Sequence, residues 1–505
     1  MGYKEIKGIH LYCKKLSVIL FIMYNWYFFA AGIYEKTSGS WKGREEFMMN
    51  RYLQYMYSYP HKTAYRPLSG ISLHDYAPAF AGGGHGLYVH IPFCQAKCGY
   101  CNLFSVTGQD GEALDRYLEA VYRQGSQYAE LLSGMDAAFS SLVAGGGTPL
   151  YLGAQQLDKL FCRIKKQFRF AKQPDFVIET APNQTDAQKL SLLKQHGVTR
   201  VSMGIQSFHD AELAALGRAH RAAKAREALG LLKTAGFACV NTDFIYGIPG
   251  QTAESLLASL KEAVRFEPDE IFLYPLYVKH GAGLQGEGIV PDQEQAFLQY
   301  QHASCFLREE GYFQKSMRRF VRSRSMPEPE FHECGFGNSL ALGCGGRSYA
   351  GNLHFCSPYA VTQKECLGRI REFERTADYT QVTHGCVLSD GELKRRYVIR
   401  HLFLYPGLPM GRYQEVFGNS ALQDFPVLSS WLEQGFVTMQ EQDASAIKQN
   451  PFLALTETGL GLSDYLGPQL ISEPVRQAMA ECFYEDFKVW KNIIGQPAWC
   501  CTGVF

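Results

Sequence analysis

Leu87-Tyr88-Val89-His90-Ile91-Pro92-Phe93-Cys94-Gln95-Ala96-Lys97-Cys98-Gly99-Tyr100-Cys101 is the stretch from which the rest of the chain is read. Leu87–Ile91 is a short apolar, β-branched strand pattern that Pro92 ends. Three cysteines follow at Cys-x3-Cys-x2-Cys spacing, on the loop that leaves the strand. The C-terminal end of a parallel strand is where α/β folds carry their chemistry. Three thiolates at this spacing reach three irons of one 4Fe-4S cubane and leave the fourth iron without a protein ligand. An open iron suits a chelating ligand, and the amino and carboxylate groups of S-adenosylmethionine fit that need. The plain alternative is a structural zinc knuckle. Zinc takes four ligands, usually as paired Cys-x2-Cys units; no second pair stands nearby, and His90 falls on the strand pattern.

Outward from this loop, strand and helix patterns alternate. Strand-like runs recur at Ser141–Ala144, Phe176–Thr180, Arg200–Ile205, Cys239–Ile245 and Ile271–Leu276. Helical periodicity fills the gaps at Leu114–Leu132, Leu157–Phe168, Ala187–His196, Ala222–Ala235 and Ala253–Phe266. Six strands separated by helices predict a parallel sheet with right-handed crossovers. Six units are too few for a closed eight-strand barrel, so the expectation is an α/β partial barrel or open sheet. From about Val290 the alternation fades, and a glycine cluster, Gly343, Gly345 and Gly346, stands in the mixed segment that follows. The region Gly391–Leu404 reads as helix, Val427–Gln440 as helix, turn and strand, and Leu455–Ser463 as the entry to another helix. Together these predict a mostly helical, winged-helix-like C-terminal domain. The expected division is 48–85 lead-in, 86–290 core, 291–385 connector and 386–505 accessory domain. Tyr52–Tyr59 reads as a helix-compatible aromatic stretch, and Gly82-Gly83-Gly84 as a flexible joint.

With 505 residues, 46% hydrophobic and 20% charged, the chain has the composition of a large globular protein. Lys+Arg at 50 against Asp+Glu at 49 argues against a general nucleic-acid binder, which needs a positive field. Fifteen cysteines is an odd number, so they cannot all pair within the chain. The twelve outside the trio read as reduced core thiols of a cytoplasmic protein. Leu16–Ile33 is an apolar run interrupted by Asn25, near the lower limit for a membrane span and long for a signal peptide. Arg44-Glu45-Glu46 before Met48 and Met49 is compatible with a purine-rich ribosome-binding sequence. Residues 1–47 are therefore expected to be a non-native or targeting extension, with the start at Met48 or Met49 and no membrane association in that case.

The cysteine stretch resembles the radical S-adenosylmethionine superfamily, and more narrowly the oxygen-independent coproporphyrinogen III oxidase family. The likeness is strong from about residue 86 to 285 and weaker over the C-terminal domain. It implies that Cys94, Cys98 and Cys101 hold a 4Fe-4S cluster and that one or two molecules of S-adenosylmethionine bind. It implies a 5′-deoxyadenosyl radical that abstracts hydrogen from a small molecule, for this family a porphyrinogen undergoing oxidative decarboxylation. The electron donor would be a flavodoxin or ferredoxin. In Ala144-Gly145-Gly146-Gly147-Thr148-Pro149 the glycines permit close backbone approach to a ligand, and by resemblance Gly146, Gly147 and Thr148 contact the methionine part. Glu179 ends the third strand, where a carboxylate suits an ammonium or ribose hydroxyl. Gln206, Arg218 and Asp243 match cofactor contacts and, in some relatives, a second S-adenosylmethionine site. Tyr88 and Tyr100 match further contacts; Tyr277 aligns loosely with another.

Two features depart from the family. Its oxidases carry a further cysteine two residues after the third ligand, where this chain has Leu103. Its haem-chaperone branch carries His-Asn-x-x-Tyr-Trp after the barrel, where this chain has Phe331-His332-Glu333-Cys334-Gly335-Phe336. A haem-binding trafficking role and a radical methyl or alkyl transferase therefore stand as alternatives. The basic run Lys315, Arg318, Arg319, Arg322 and Arg324 suits substrate carboxylates; its plainer reading is a solvated helix face.

Overall fold

A computed structural model describes residues 51–56, 58–279, 281–322, 337–440 and 451–482. The 1–47 extension, the Phe331–Phe336 stretch, Arg324 and the terminal pair Cys500–Cys501 lie outside the described residues. After strand β1 (Arg66–Ser72), the alternation expected from the pattern runs β2 (His85–Ile91), α1 (Gly111–Leu131), β3 (Phe139–Gly146), α2 (Ala154–Gln167), β4 (Phe170–Thr180), α3 (Ala187–Gln195), β5 (Arg200–Gln206), α4 (Ala222–Ala235), β6 (Cys239–Tyr246), α5 (Ala253–Arg265) and β7 (Glu270–Pro275). The helices start where short polar side chains satisfy the first amides: Asp110 accepts from Ala113 N–H at 2.9 Å and Asp186 from Lys189 N–H at 2.8 Å. Gly236, at φ 62°, closes α4 in the left-handed conformation that costs glycine little.

Helix α6 (Gln293–Glu309) comes next, and after it the strands β8 (Phe313–Gln314), β9 (Arg319–Val321), β10 (Ser339–Leu342), β11 (Ser348–Ala350), β12 (Leu353–Phe355) and β13 (Gln381–Val387). All join one 13-stranded sheet in the order β1-β13-β12-β11-β10-β2-β3-β4-β5-β6-β7-β9-β8. Its centre, β10-β2-β3-β4-β5-β6-β7, is parallel. The parallel part therefore has one strand more than the six-unit pattern shows. β10 is only four residues long and pairs Ser339 with Gly86, far away in sequence. The glycine cluster after it is a packing requirement: a Cβ on Gly343 would lie 2.6 Å from His90 O, and one on Gly345 2.8 Å from the Phe104 ring. The core lies between the sheet and its outer helices, with Leu87, Val89, Ile91, Leu142, Ile178, Val201, Met203 and Leu273 buried.

The C-terminal region opens with α7 (Asp390–Leu402), then β14 (Leu408–Pro409), α8 (Val427–Glu433), β15 (Val437–Gln440) and β16 (Phe452–Leu455). The three strands form an antiparallel sheet in the order β14-β16-β15 beside short helices, the winged-helix-like arrangement expected. No helix among the described residues is long and apolar enough to cross a membrane.

Three expectations are corrected. The described residues of Tyr52–Tyr59 are not helical; Tyr52 and Tyr55 instead set their rings edge-on to Tyr246 and Tyr274, at 6.0 and 6.3 Å. Aromatic packing against the barrel outweighs local propensity there. The basic run is no solvated helix face: Lys315, Arg318 and Arg319 are buried on or beside the β8–β9 hairpin. Arg319 pairs with Glu270 at 2.6 Å, and Arg318 pairs with Asp464 of the C-terminal region. These arginines are occupied by protein carboxylates rather than aimed at a substrate. Finally, the cysteines outside the trio are not all core thiols, since Cys162 and Cys305 are exposed.

Candidate functional site

The three cysteines lie on the loop after β2, beside the C-terminal ends of β3, β4, β5 and β6. Together with Tyr100, Gly146, Gly147, Thr148, Glu179, Gln206, Arg218 and Asp243 they line one cavity of about 200 Å³. The parallel register explains how residues more than 140 positions apart converge. Ile91 stands beside Gly146, Glu179 beside Ser202, and Gly204 beside Asp243. In-register neighbours on a parallel sheet share a face, so Glu179, Ser202 and Asp243 point to the same side. Between Gly204 and Gln206 the register with β6 shifts, and Gln206 takes φ 72°. This bulge re-aims the Gln206 side chain, whose Nε2 would lie 2.7 Å from a Cβ on Gly204.

The glycine run forms a cradle. Gly147 N–H donates to Ile91 O at 2.8 Å and Thr148 N–H to Phe93 O at 2.9 Å, which binds this strip to the cysteine loop. A Cβ on Gly147 would lie 2.8 Å from Phe93 O and 3.0 Å from Cys94 Sγ. Gly146 has φ 114°, and its N–H donates to Glu179 Oε2 at 3.1 Å. Glu179 is thus oriented at the cradle's edge. Two of the thiols have neighbours on the cavity wall: Thr148 Oγ1 is 3.7 Å from Cys94 Sγ, and Arg218 Nη1 donates to Cys98 Sγ at 3.1 Å. Burial pushes the Cys94 thiol up to about 11, against the Thr148 contact, and burial with the neighbouring Cys98 raises Cys101. Buried thiols of this kind become thiolates when a metal supplies the compensating charge.

Arg218 also donates to Gly204 O at 2.6 Å, while its buried Nε has no hydrogen-bond partner among the described residues. Burial opposes its charge, but Tyr100 and Cys98 hold the guanidinium above its ordinary range. Asp243 is pushed up to about 6 by burial, partly offset by a 2.8 Å hydrogen bond from Asn241 Nδ2. His220 is lowered to about 4 by burial and by Arg218, so it is neutral at pH 7, with Nε2 3.2 Å from Ile205 O.

Tyr88 stands apart. Its hydroxyl is 3.2 Å from His90 Nδ1, and its ring packs with Val143 and Ala341 inside the barrel, not on the cavity wall. His90 Nε2 is committed to Phe104 O at 2.9 Å, so His90 is not a fourth metal ligand in this arrangement. Tyr277 bonds to Asp464 and lies outside the cavity wall. Conversely, sequence reading missed the polar groups that brace the site. Asn241 bridges Ser202 Oγ, at 2.7 Å, and Asp243; its position two residues before Asp243 on one strand was the available signal. Gln95, within the cysteine loop, accepts from Asn183 at 3.0 Å and Gln184 at 3.2 Å, tethering the loop to the turn after β4.

The residues fit an iron–sulfur cluster and a chelating ligand on two counts: three thiols on the wall of one cavity, and beside them the Arg218 guanidinium with its Nε unpartnered among the described residues. Residues 88–263 match the Radical SAM superfamily. The chain is 30% identical over 264 residues to the heme chaperone HemW of Haemophilus influenzae, covering 51% of this chain and 68% of that protein. It is 30% identical over 288 residues to the oxygen-independent coproporphyrinogen III oxidase of Synechocystis, covering 54% and 61%. In fold it is similar to the coproporphyrinogen III oxidase of Escherichia coli, with a TM-score of 0.68 at 22% identity, over 85% of this chain and 97% of that one. With this site and these relatives, the chain belongs to the radical S-adenosylmethionine superfamily and, within it, to the family of oxygen-independent coproporphyrinogen III oxidases and their heme-chaperone relatives, which use a 4Fe-4S cluster and S-adenosylmethionine.

Proposed function

We propose that the chain is an oxidoreductase that abstracts hydrogen from a small molecule of porphyrinogen type. The observation that carries this reading is the convergence of three thiols, a glycine cradle and Arg218, Glu179 and Asp243 on one cavity at the barrel mouth. When bound, the cluster and S-adenosylmethionine supply a 5′-deoxyadenosyl radical. The chain's own residues bind and orient. Cys94, Cys98 and Cys101 would hold the cluster. Gly146, Gly147 and Thr148 would hold the methionine part, and Glu179, oriented by Gly146 N–H, would accept from its ammonium. Gln206, Arg218 and Asp243 present a donor–acceptor pair, a cation and an acid to carboxylate and ribose groups; they would equally serve a second S-adenosylmethionine. Electrons would come from a flavodoxin or ferredoxin, in the reducing cytoplasm.

The relatives named as coproporphyrinogen III oxidases support the substrate class. Leu103, 48% exposed and on the cavity wall, puts an apolar group where those oxidases carry a thiol, which favours a substrate or outcome different from theirs. A second reading, haem binding and delivery, is favoured by the relatives named as heme chaperones. Anaerobic reconstitution with iron and sulfide, followed by dithionite and S-adenosylmethionine, separates them. 5′-Deoxyadenosine by mass spectrometry, increasing when a porphyrinogen is added, supports the enzyme. Stoichiometric haem binding without 5′-deoxyadenosine supports the carrier.

A further inference from the structure

Cys162, expected in the core, stands exposed on α2, one helical turn after Asp158. The i, i+4 spacing sets both side chains on one face of the helix. His196, the residue capping α3, brings its ring to the same spot. Its Nε2 lies 2.8 Å from Asp158 Oδ1, and Cys162 Sγ lies 4.0 Å from that same oxygen. The three donor atoms are all within 4.8 Å of one another. His196 is followed closely by Arg200, where β5 begins. The trio therefore sits on the outer helical layer, toward the end of the barrel where strands start, away from the cysteine loop.

We propose that Asp158, Cys162 and His196 form a second metal site, built for a zinc-type divalent cation and separate from the iron–sulfur site. The donor set is one sulfur, one imidazole nitrogen and one carboxylate oxygen, all groups that zinc binds. Bond lengths of about 2.0 Å to nitrogen and oxygen and about 2.3 Å to sulfur, at tetrahedral angles, give donor separations of about 3.3–3.5 Å. The separations of 2.8 and 4.0 Å straddle those values, so small rotations of exposed side chains would complete the geometry. The cation takes the place of the hydrogen on His196 Nε2, which shifts to Nδ1, and the Cys162 thiol proton leaves to solvent; water fills the fourth position.

The scaffold is rigid where it needs to be. The His196 ring stacks on Phe161 at 5.1 Å and 20°, and Lys165 Nζ anchors His196 O at 2.7 Å. Lys165 Nζ is also 3.4 Å from His196 Nδ1. A metal on Nε2 requires Nδ1 to carry the proton, so this ammonium opposes binding both by charge and by tautomer. Lys165 therefore sets the site's affinity from one atom away.

The test titrates zinc into the cluster-loaded holoprotein against a chromophoric competitor, with iron content measured before and after. The expected result is one zinc per chain with iron retained. Cys162→Ser and His196→Gln should each weaken it at least about tenfold, and Lys165→Met should tighten it. Cobalt should show a thiolate charge-transfer band that Cys162→Ser removes. Equal affinity in the parent and both ligand variants, zinc bound only at the expense of iron, or cobalt without the thiolate band would overturn the proposal.

Discussion

The barrel places arginines at both of its ends, and the two ends treat them differently. At the floor, where β5 and β7 begin, Arg200 and Arg319 flank the fully buried Glu270. Burial works against the Glu270 charge, yet the two guanidiniums prevail and hold the carboxyl below its ordinary range. At the mouth, Arg218 makes no ion pair among the described residues; it reaches a cysteine sulfur and a carbonyl. Charge matched by protein is architecture, and charge left facing sulfur and a cavity is capacity for a ligand. The difference also separates the buried members of the basic run after the barrel, Arg318 and Arg319, from the mouth: they already have their carboxylates.

The largest expected effect is at the mouth. Cys98→Ala should lower iron content after anaerobic reconstitution at least about tenfold, read with the visible spectrum, because two thiols cannot hold the cubane. Retention of the spectrum would break the assignment of the whole site. At the floor, Glu270→Gln leaves two buried guanidiniums uncompensated and should cost about 3–5 kcal/mol in denaturant unfolding. Arg218→Met should cost less than about 1 kcal/mol of stability. If Arg218→Met proved the more destabilising of the two, the contrast between the ends would fail.

Asp243 sharpens the comparison through pH. Its folded value of about 6 lies above the ordinary 3.8 because of burial. The native state keeps this proton after the unfolded chain has lost it. Stability from the protonated form is fully present below about pH 4 and is lost as pH rises through about 6. Relative to Asp243→Asn, the parent should therefore lose about 2–3 kcal/mol across that window, measured by unfolding at each pH. The smallest effects are on ligand affinity. Gly147→Ala puts a methyl against Phe93 O and Cys94 Sγ and should weaken S-adenosylmethionine binding about tenfold by calorimetry, as should Arg218→Met through its lost hydrogen bonds. Unchanged affinity in both would move the ligand away from the cradle.

The six strands from β2 to β7 and the five longer helices between them were legible, because a strand's period of two and a helix's of 3.6 are written along the chain itself; the short helix Asp210–Ala215 and the first six residues of β4 were not. The cysteine trio and the glycine strip were legible for a related reason: metal spacing and close backbone approach are local demands. Tyr88 shows the limit. It sits near the cysteines in sequence, yet its strand position turns it toward His90 and Val143. What only the tertiary structure decided is pairing over long separations: β10 beside β2, Arg318 against Asp464 from 146 residues away, Asn241 between Ser202 and Asp243, and His196 beside Cys162. Such contacts depend on strand register and helix docking, where a shift of one residue changes every partner; a linear pattern names the side chains available but not which of them meet.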